Sequence, residues 1–273
     1  MIGSVRIYGG TIDTNAHTSV PTWSLAIWRS NNACDPQREK VQRLTERLSD
    51  GKKVIELFRS VSSMRRIVLI IRHSERISFH NVPMHQWDSA GITEHGFAAA
   101  KDLGRALVRQ AEALQWNVHS WGQMRCVQTA SAIAGGITEE GAVATPIGNL
   151  NIKGPIANES AYKEFITTGR WQEMLSLWQQ SGDTGGSLVP IDVYSPMVFG
   201  EILVSGICPP NRVSLIATHD LHILPLARYA LGTAVNPPDY LDGIVLGEQG
   251  GEVKIGFGDL IRSTSTSKLM HPA

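Results

Sequence analysis

The sequence predicts an α/β fold, a three-layer α/β/α sandwich with a mostly parallel central sheet and a helical and loop insertion. Three observations carry that prediction. Two apolar runs, Arg66-Ile-Val-Leu-Ile-Ile-Arg72 and Arg212-Val-Ser-Leu-Ile-Ala-Thr218, are rich in β-branched and aliphatic residues. Neither alternates with polar residues, as expected of strands buried on both faces. Segments with helical spacing separate the strand-like runs, and alternating strand and helix gives a layered α/β domain. Both runs also break into charge at a histidine, His73 and His219. Open α/β sheets place function at the carboxyl ends of their strands.

The elements follow in order. Residues 1–36 are rich in Thr, Ser, Asn and Gly and read as an irregular arm. Residues 37–61 carry helical spacing at Val41, Leu44 and Leu48. Asp50-Gly51 interrupts it, and Val54, Leu57 and Phe58 resume it. The first strand is 66–72, followed by a polar loop through Asn81-Val-Pro83 and Trp87-Asp88. Thr93 is an N-cap with Glu94 in the first turn, and Phe97, Ala100, Leu103, Leu107, Ala111 and Leu114 mark one apolar helix face. A short strand at 116–120 and a helix from Met124 to Ala134 come next. The stretch 135–211 is punctuated by glycine and proline, with a helix at 160–180 in which Trp171 and Trp178 pack the insertion. After the strand at 212–218, a helix runs from Ile223 to Leu231 and stops at Gly232. Two strands between Asp242 and Phe257 turn at Gln249-Gly250-Gly251. The expected organisation is an N-terminal arm and helix over 1–63, a domain over 64–262 with its insertion at about 135–211, and a free tail over 263–273.

Composition narrows the functions. The 273 residues are 42% hydrophobic, enough for a substantial core. Twenty-five Lys and Arg balance 25 Asp and Glu, which argues against a nucleic-acid or membrane-surface binder. Three widely spaced cysteines, Cys34, Cys126 and Cys208, offer no disulfide framework and point to reduced thiols in a cytoplasmic protein. The first residues lack the pattern of a signal peptide, and no apolar run approaches the roughly 18 residues of a membrane span.

Arg72-His73-Ser74-Glu75-Arg76 is the first segment able to carry chemistry. A neutral imidazole held in one tautomer can attack phosphorus. Neighbouring guanidinium groups depress its pKa and bind phosphate oxygens in forked geometry. The plain alternative is a strand end that places charges in water. Arg125, in Ser120-Trp-Gly-Gln-Met-Arg125-Cys-Val-Gln128-Thr129-Ala130, opens a helix directly after a strand, where free N–H groups favour an anion. Read alone, it is a solvated helix-start arginine. His219 could bind a transferring phosphoryl group and Asp220 could protonate a leaving oxygen, or the two could merely cap the next helix. His73, His80 and His85 with Glu75 and Asp88 match no zinc spacing, and their arginines repel a cation, so no metal is expected. The glycine pairs 135–136 and 185–186 lack the Lys-Ser/Thr ending of a nucleotide loop and read as turns. His222 reads as helix surface.

Together these segments resemble the histidine phosphatase superfamily, the phosphoglycerate mutase-like proteins. Arg72-His73-Ser74 resembles its Arg-His-Gly signature, and Gly91-Ile-Thr-Glu-His-Gly96 is similar to its Leu-Thr-Glu-x-Gly helix start. Ser120-x4-Arg125-x2-Gln128-Thr129-Ala130 is similar to its second phosphate motif. His219 falls at its second histidine. The four occur in the family's order across residues 66–232. The resemblance implies that His73 is the nucleophile, with Arg72, Arg125 and His219 lining the phosphate pocket. Arg76 and the His219-Asp220 pair are similar to features of the acid-phosphatase branch, where the aspartate is the general acid. The other branch, whose helix start and Gln-Thr-Ala ending are closer, supplies a glutamate, for which Glu159 and Glu164 are candidates. Asp220 is favoured because it adjoins His219. Ser74 departs from the family's glycine, though its small hydroxyl could donate to phosphate. The activity implied is metal-independent hydrolysis of a small-molecule phosphomonoester through phosphohistidine, without a cofactor and without nucleic-acid or membrane partners. The alternatives are a phosphomutase or phosphotransferase with the same intermediate, and a non-catalytic module that binds a phosphorylated ligand.

Overall fold

The computed structural model describes residues 51–79, 83–111, 115–150 and 152–271. The expected arm at 1–36, the helical spacing at 37–50, Cys34 and His80 lie outside them, as does the side chain of His85. A seven-stranded sheet forms the middle layer. Its strands are β1 Arg66–Arg72, β2 Gln115–Ser120, β3 Ala144–Asn149, β4 Arg212–Thr218, β5 Gly243–Gln249, β6 Glu252–Phe257 and β7 Leu260–Ser265. Their order is β3-β2-β4-β1-β5-β6-β7. The first four pair in parallel, whereas β1/β5, β5/β6 and β6/β7 are antiparallel, so the sheet is mixed.

Alternation along β1 explains the three layers. Ile67, Leu69 and Ile71 face one side, where they pack with α1 (Lys52–Arg59), α2 (Glu94–Val108) and α3 (Met124–Glu139). Val68 and Ile70 face the other, against α6 (Ile191–Leu203) and α7 (Asp220–Leu231). An element buried on both faces needs apolar residues at every position, hence the unbroken run. Helices α4 (Glu159–Thr167) and α5 (Trp171–Ser181) build a smaller cluster around Trp178 that meets Leu221 and Leu224 of α7.

Several boundaries differ from the sequence reading. The domain does not begin at 64. Val54, Leu57, Phe58 and Val61 are buried in the core, and the Phe58 and Trp116 rings sit 5.6 Å apart. The insertion begins near 150 rather than 135, because residues 135–139 complete α3 and β3 is the edge strand of the sheet. That strand is partly or wholly exposed and carries Pro146, so no apolar pattern announced it. The expected helix at 160–180 is two helices separated at Gly169, whose φ of 72° takes the left-handed region. Helix α6 has Pro196 inside it and apolar residues around most of its circumference, which hides a 3.6-residue stripe. The supposed free tail is structured too. Strand β7 runs to Ser265, which caps the short α8 (Thr266–Met270), where Leu269 is buried. The β5–β6 hairpin turns as expected, with Gly250 and Gly251 both at positive φ, 61° and 86°. Phe97, expected on the buried face of α2, is 47% exposed, while Ala100, Leu103 and Leu107 are buried as expected.

Helices α2 and α3 approach so closely that neither tolerates a side chain at the crossing. A methyl on Gly136 would lie 2.0 Å from the Lys101 carbonyl oxygen, and one on Gly104 would lie 2.3 Å from that of Ile133. Gly135, one residue away, has no atom within 4 Å of such a methyl. Gly136→Ala is therefore expected to destabilise the protein by about 1–3 kcal/mol. Gly135→Ala should stabilise it by about 0.5–1 kcal/mol through helix propensity. Urea midpoints of the two variants check this, and shifts in the same direction contradict the packing described.

Candidate active site

Parallel pairing builds the site. In the β1/β4 register Arg72 stands opposite Thr218, so the next residues, His73 and His219, leave the sheet side by side. The His73 amide donates to the Thr218 carbonyl at 2.8 Å. The two imidazole centroids are 5.1 Å apart in an edge-on arrangement.

His73 is 3% exposed. Its Nδ1 lies 2.8 Å from the Ser74 carbonyl. A carbonyl only accepts, so Nδ1 carries the proton and donates, which leaves Nε2 with its lone pair. Burial holds this imidazole well below the ordinary histidine range. The bond to Ser74 opposes that shift, and Arg72, Arg125 and Arg76 add to it. His219 is held well below the usual range by burial, with His73, Arg125, His222 and Arg72 contributing. Its Nε2–H donates to the Gln123 side-chain oxygen at 2.9 Å, and the Cys126 sulfur lies 3.4 Å from the same nitrogen. Burial pushes the Cys126 thiol up to about 12, so it stays protonated.

Three arginines surround His73. Arg72 donates through Nη1 to the Pro238 carbonyl at 2.8 Å, and its Nη2 is 3.6 Å from Asp220 Oδ2. Arg125, in the first turn of α3, donates to the Trp87 carbonyl at 2.8 Å. Arg76 donates to the Ile77 carbonyl at 3.1 Å and lies over the Phe79 ring. Burial lowers the pKa of both Arg76 and Arg125, as expected of cations removed from water. Among the described residues, the Nε atoms of Arg72 and Arg125 are buried without a hydrogen-bond partner. An unsatisfied buried donor costs about 1–3 kcal/mol, which an anion at this spot would relieve.

The remaining motif residues act mainly as braces. Thr129 accepts from the Ser74 amide at 3.0 Å and donates to the Arg125 carbonyl at 2.7 Å. Gln128 accepts from the Ile92 amide at 2.8 Å. Thr93 caps α2 by accepting from the Gly96 amide at 2.9 Å, and its hydroxyl donates to Glu75 at 2.6 Å. The Ser74 hydroxyl donates to the Gly96 carbonyl at 2.7 Å, so it is engaged away from the expected phosphate contact. Ser74 is not among the residues with positive φ, so the backbone there does not call for glycine.

The structure thus gathers His73, His219, Asp220, Arg72, Arg76 and Arg125 at one end of the sheet. Asp220 opens α7, its Oδ1 held by the Leu221 amide at 2.9 Å. Glu159 and Glu164 are exposed on α4, and Glu159 pairs with Lys163 at 3.0 Å. His222 is no surface residue. It is buried, donates or accepts at 2.8 Å with the Tyr194 hydroxyl, and burial lowers its pKa to about 3. Sequence reasoning also passed over Gln123 and Cys126, which contact His219, and Tyr240, whose ring is 5.7 Å from His73. Gln123 and Cys126 lie inside the quoted arginine motif, whereas Tyr240 sits in an irregular Pro-rich loop that gave no signal.

No protein-family model matches the chain, and no curated protein matches it. Solved structures of similar fold include phosphoglycerate mutase from Bacillus anthracis str. Sterne, 15% identical over 76% of this chain and 94% of its own, with a TM-score of 0.48. Another is the native mycobacterial glucosyl-3-phosphoglycerate phosphatase, 12% identical over 73% and 96%, with a TM-score of 0.46. A third is YhfR of Bacillus stearothermophilus, 17% identical over 71% and 97%, with a TM-score of 0.48. The likeness is one of fold.

Proposed function

We propose that this protein is a metal-independent phosphomonoesterase that works through a phosphohistidine on His73. One observation carries the reading: a buried imidazole, proton fixed on Nδ1 by the Ser74 carbonyl, stands among three arginines with its Nε2 lone pair available. In the first step Nε2 attacks phosphorus in line with the ester oxygen. The P–N bond forms as the P–O bond breaks, and the carboxylic acid form of Asp220 gives its proton to the departing alcohol. In the second step a water loses a proton to the Asp220 carboxylate and attacks phosphorus. The P–N bond breaks and inorganic phosphate leaves. Arg72, Arg76 and Arg125 neutralise the equatorial oxygens in both steps, where most of the barrier reduction lies, and the neutral His219 beside them turns its N–H from Gln123 to a phosphoryl oxygen. Three guanidinium groups at one site already supply the positive charge a metal would bring, and they disfavour a further cation.

His73→Ala should lower phosphate release from an aryl phosphate at least about a thousandfold, with or without chelator. Acid-labile phosphate trapped on the wild-type chain should vanish in the variant. Activity that survives the substitution ends the assignment. Asp220→Asn separates the proton donor from the anion clamp. It should slow an alkyl phosphate by about 10²- to 10⁴-fold and an aryl phosphate with a good leaving group far less. Equal losses on both substrates point away from general acid catalysis by Asp220.

The depressed imidazoles set two pH dependences. An unperturbed histidine would be only about one-tenth neutral at pH 5.5. The lowered pKa of His73 should keep kcat/KM above half its maximum there. An acid limb at or above pH 6.5 that stays put when the ester's own pKa is changed contradicts this. Stability has the same cause. His73, His219 and His222 are lowered in the folded chain, so the unfolded chain takes up protons first as pH falls. Stability is full above about pH 6.5 and declines below it, by up to about 1.4 kcal/mol per pH unit for each histidine. Urea midpoints at pH 7.5 and 5.5 measure the slope, and His222→Gln should flatten it.

A further inference from the structure

We infer that the alcohol portion of the substrate carries a flat aromatic ring. The inference rests on the phosphomonoester reading and narrows it. Each arginine beside His73 has an aromatic neighbour. The Arg72 guanidinium lies 4.6 Å from the centre of the Tyr240 ring. Arg76 lies 3.5 Å and Arg125 5.5 Å from the centre of Phe79. Phe79 is stacked on Trp87, with centroids 4.7 Å apart and planes 3° from parallel. On the His219 side, His222 lies 6.1 Å away and Trp121 packs 4.0 Å from His222. Tyr162 of α4 stands edge-on to Trp171 at 6.1 Å and feels the charges of Asp220 and Arg125, and burial pushes its hydroxyl up to about 12. Phe79, Trp87, Trp121, Tyr162 and Tyr240 are all half-buried, so each keeps part of its surface open.

The surroundings of the phosphate position are therefore rich in aromatic faces. A sugar or glycerate ester would be better served by side chains that bond its hydroxyls or a second anion. The cations acting on His73 are the same three arginines that the phosphoryl oxygens would occupy. The Asp88 carboxylate acts on Arg125 and would repel a further negative group on the alcohol. An aromatic ring suits these neighbours, since offset or edge-on ring pairs gain more than their buried area alone.

The test uses the full chain and separates binding from turnover. Benzylphosphonate and ethylphosphonate have no ester bond to hydrolyse. Calorimetry should show benzylphosphonate binding roughly tenfold tighter. Trp121→Leu and Tyr162→Leu should each narrow that ratio severalfold. Benzyl phosphate should likewise exceed glycerol 3-phosphate in kcat/KM by roughly tenfold, although both release an alkoxide-type leaving group. Equal affinity for the two phosphonates overturns the inference even if both esters are hydrolysed, as does a preference that survives both substitutions. A clear benzylphosphonate preference that both substitutions narrow, with no ester turned over, upholds the ring site and overturns the hydrolase reading instead.

Discussion

The parallel pairing of β1 with β4 is the constraint on which the rest of the site depends. Its register sets Arg72 opposite Thr218, and the next residue of each strand is a histidine. Parallel strands run in the same direction, so their carboxyl ends meet at one edge and both imidazoles emerge there. A slip of one residue would turn the apolar faces of the strand toward the wrong layer and send the two rings apart. Both faces of β1 are buried, which makes that slip costly. The register of the core thus fixes the distance between the two histidines.

Burial then sets their chemistry. Water is largely excluded from His73, His219 is half-buried, and the charged form of each is disfavoured. The same exclusion strengthens the field of the arginines, because charges interact more strongly where the effective dielectric is low. Guanidinium groups with unpartnered Nε atoms are an unstable arrangement without an anion. An imidazole that stays neutral among cations, and guanidinium Nε atoms without a hydrogen-bond partner among the described residues, are two consequences of one desolvated pocket. The backbone makes the asymmetry within His73, since the Ser74 carbonyl can only accept.

The segments between the histidines earn their place largely by holding the loops together. Thr129 ties the β1 end to α3, Gln128 holds the chain at Ile92, and Thr93 joins the start of α2 to Glu75. These bonds close a ring of elements around Arg72 to Arg76. Ser74 fits into that ring through its bond to the Gly96 carbonyl, which explains how a residue larger than glycine is accommodated. A methyl on Gly96 would come 2.4 Å from the Glu75 carbonyl oxygen, so the close approach is maintained from the α2 side.

The sequence alone determined the two central strands, the Thr93 cap, the Gly250-Gly251 hairpin and the charged residues at the strand ends. Each of these is a local pattern: an apolar run, a capping residue, a turn pair, a cluster of charge. The edge strands β3 and β7 escaped because exposed edges have no apolar face to display, and α6 escaped because burial on most sides erases its stripe. The ion pair between Asp220 and Arg72 joins residues 148 positions apart in number, so spacing along the chain could not reveal it. The burial of His222, the engagement of the Ser74 hydroxyl and the approach of Tyr240 to His73 likewise belong to tertiary structure alone. Sequence spacing reports what a residue meets along its own helix or strand. Only the packing of separate elements decides what faces it across a gap, and a catalytic site consists of such facing groups.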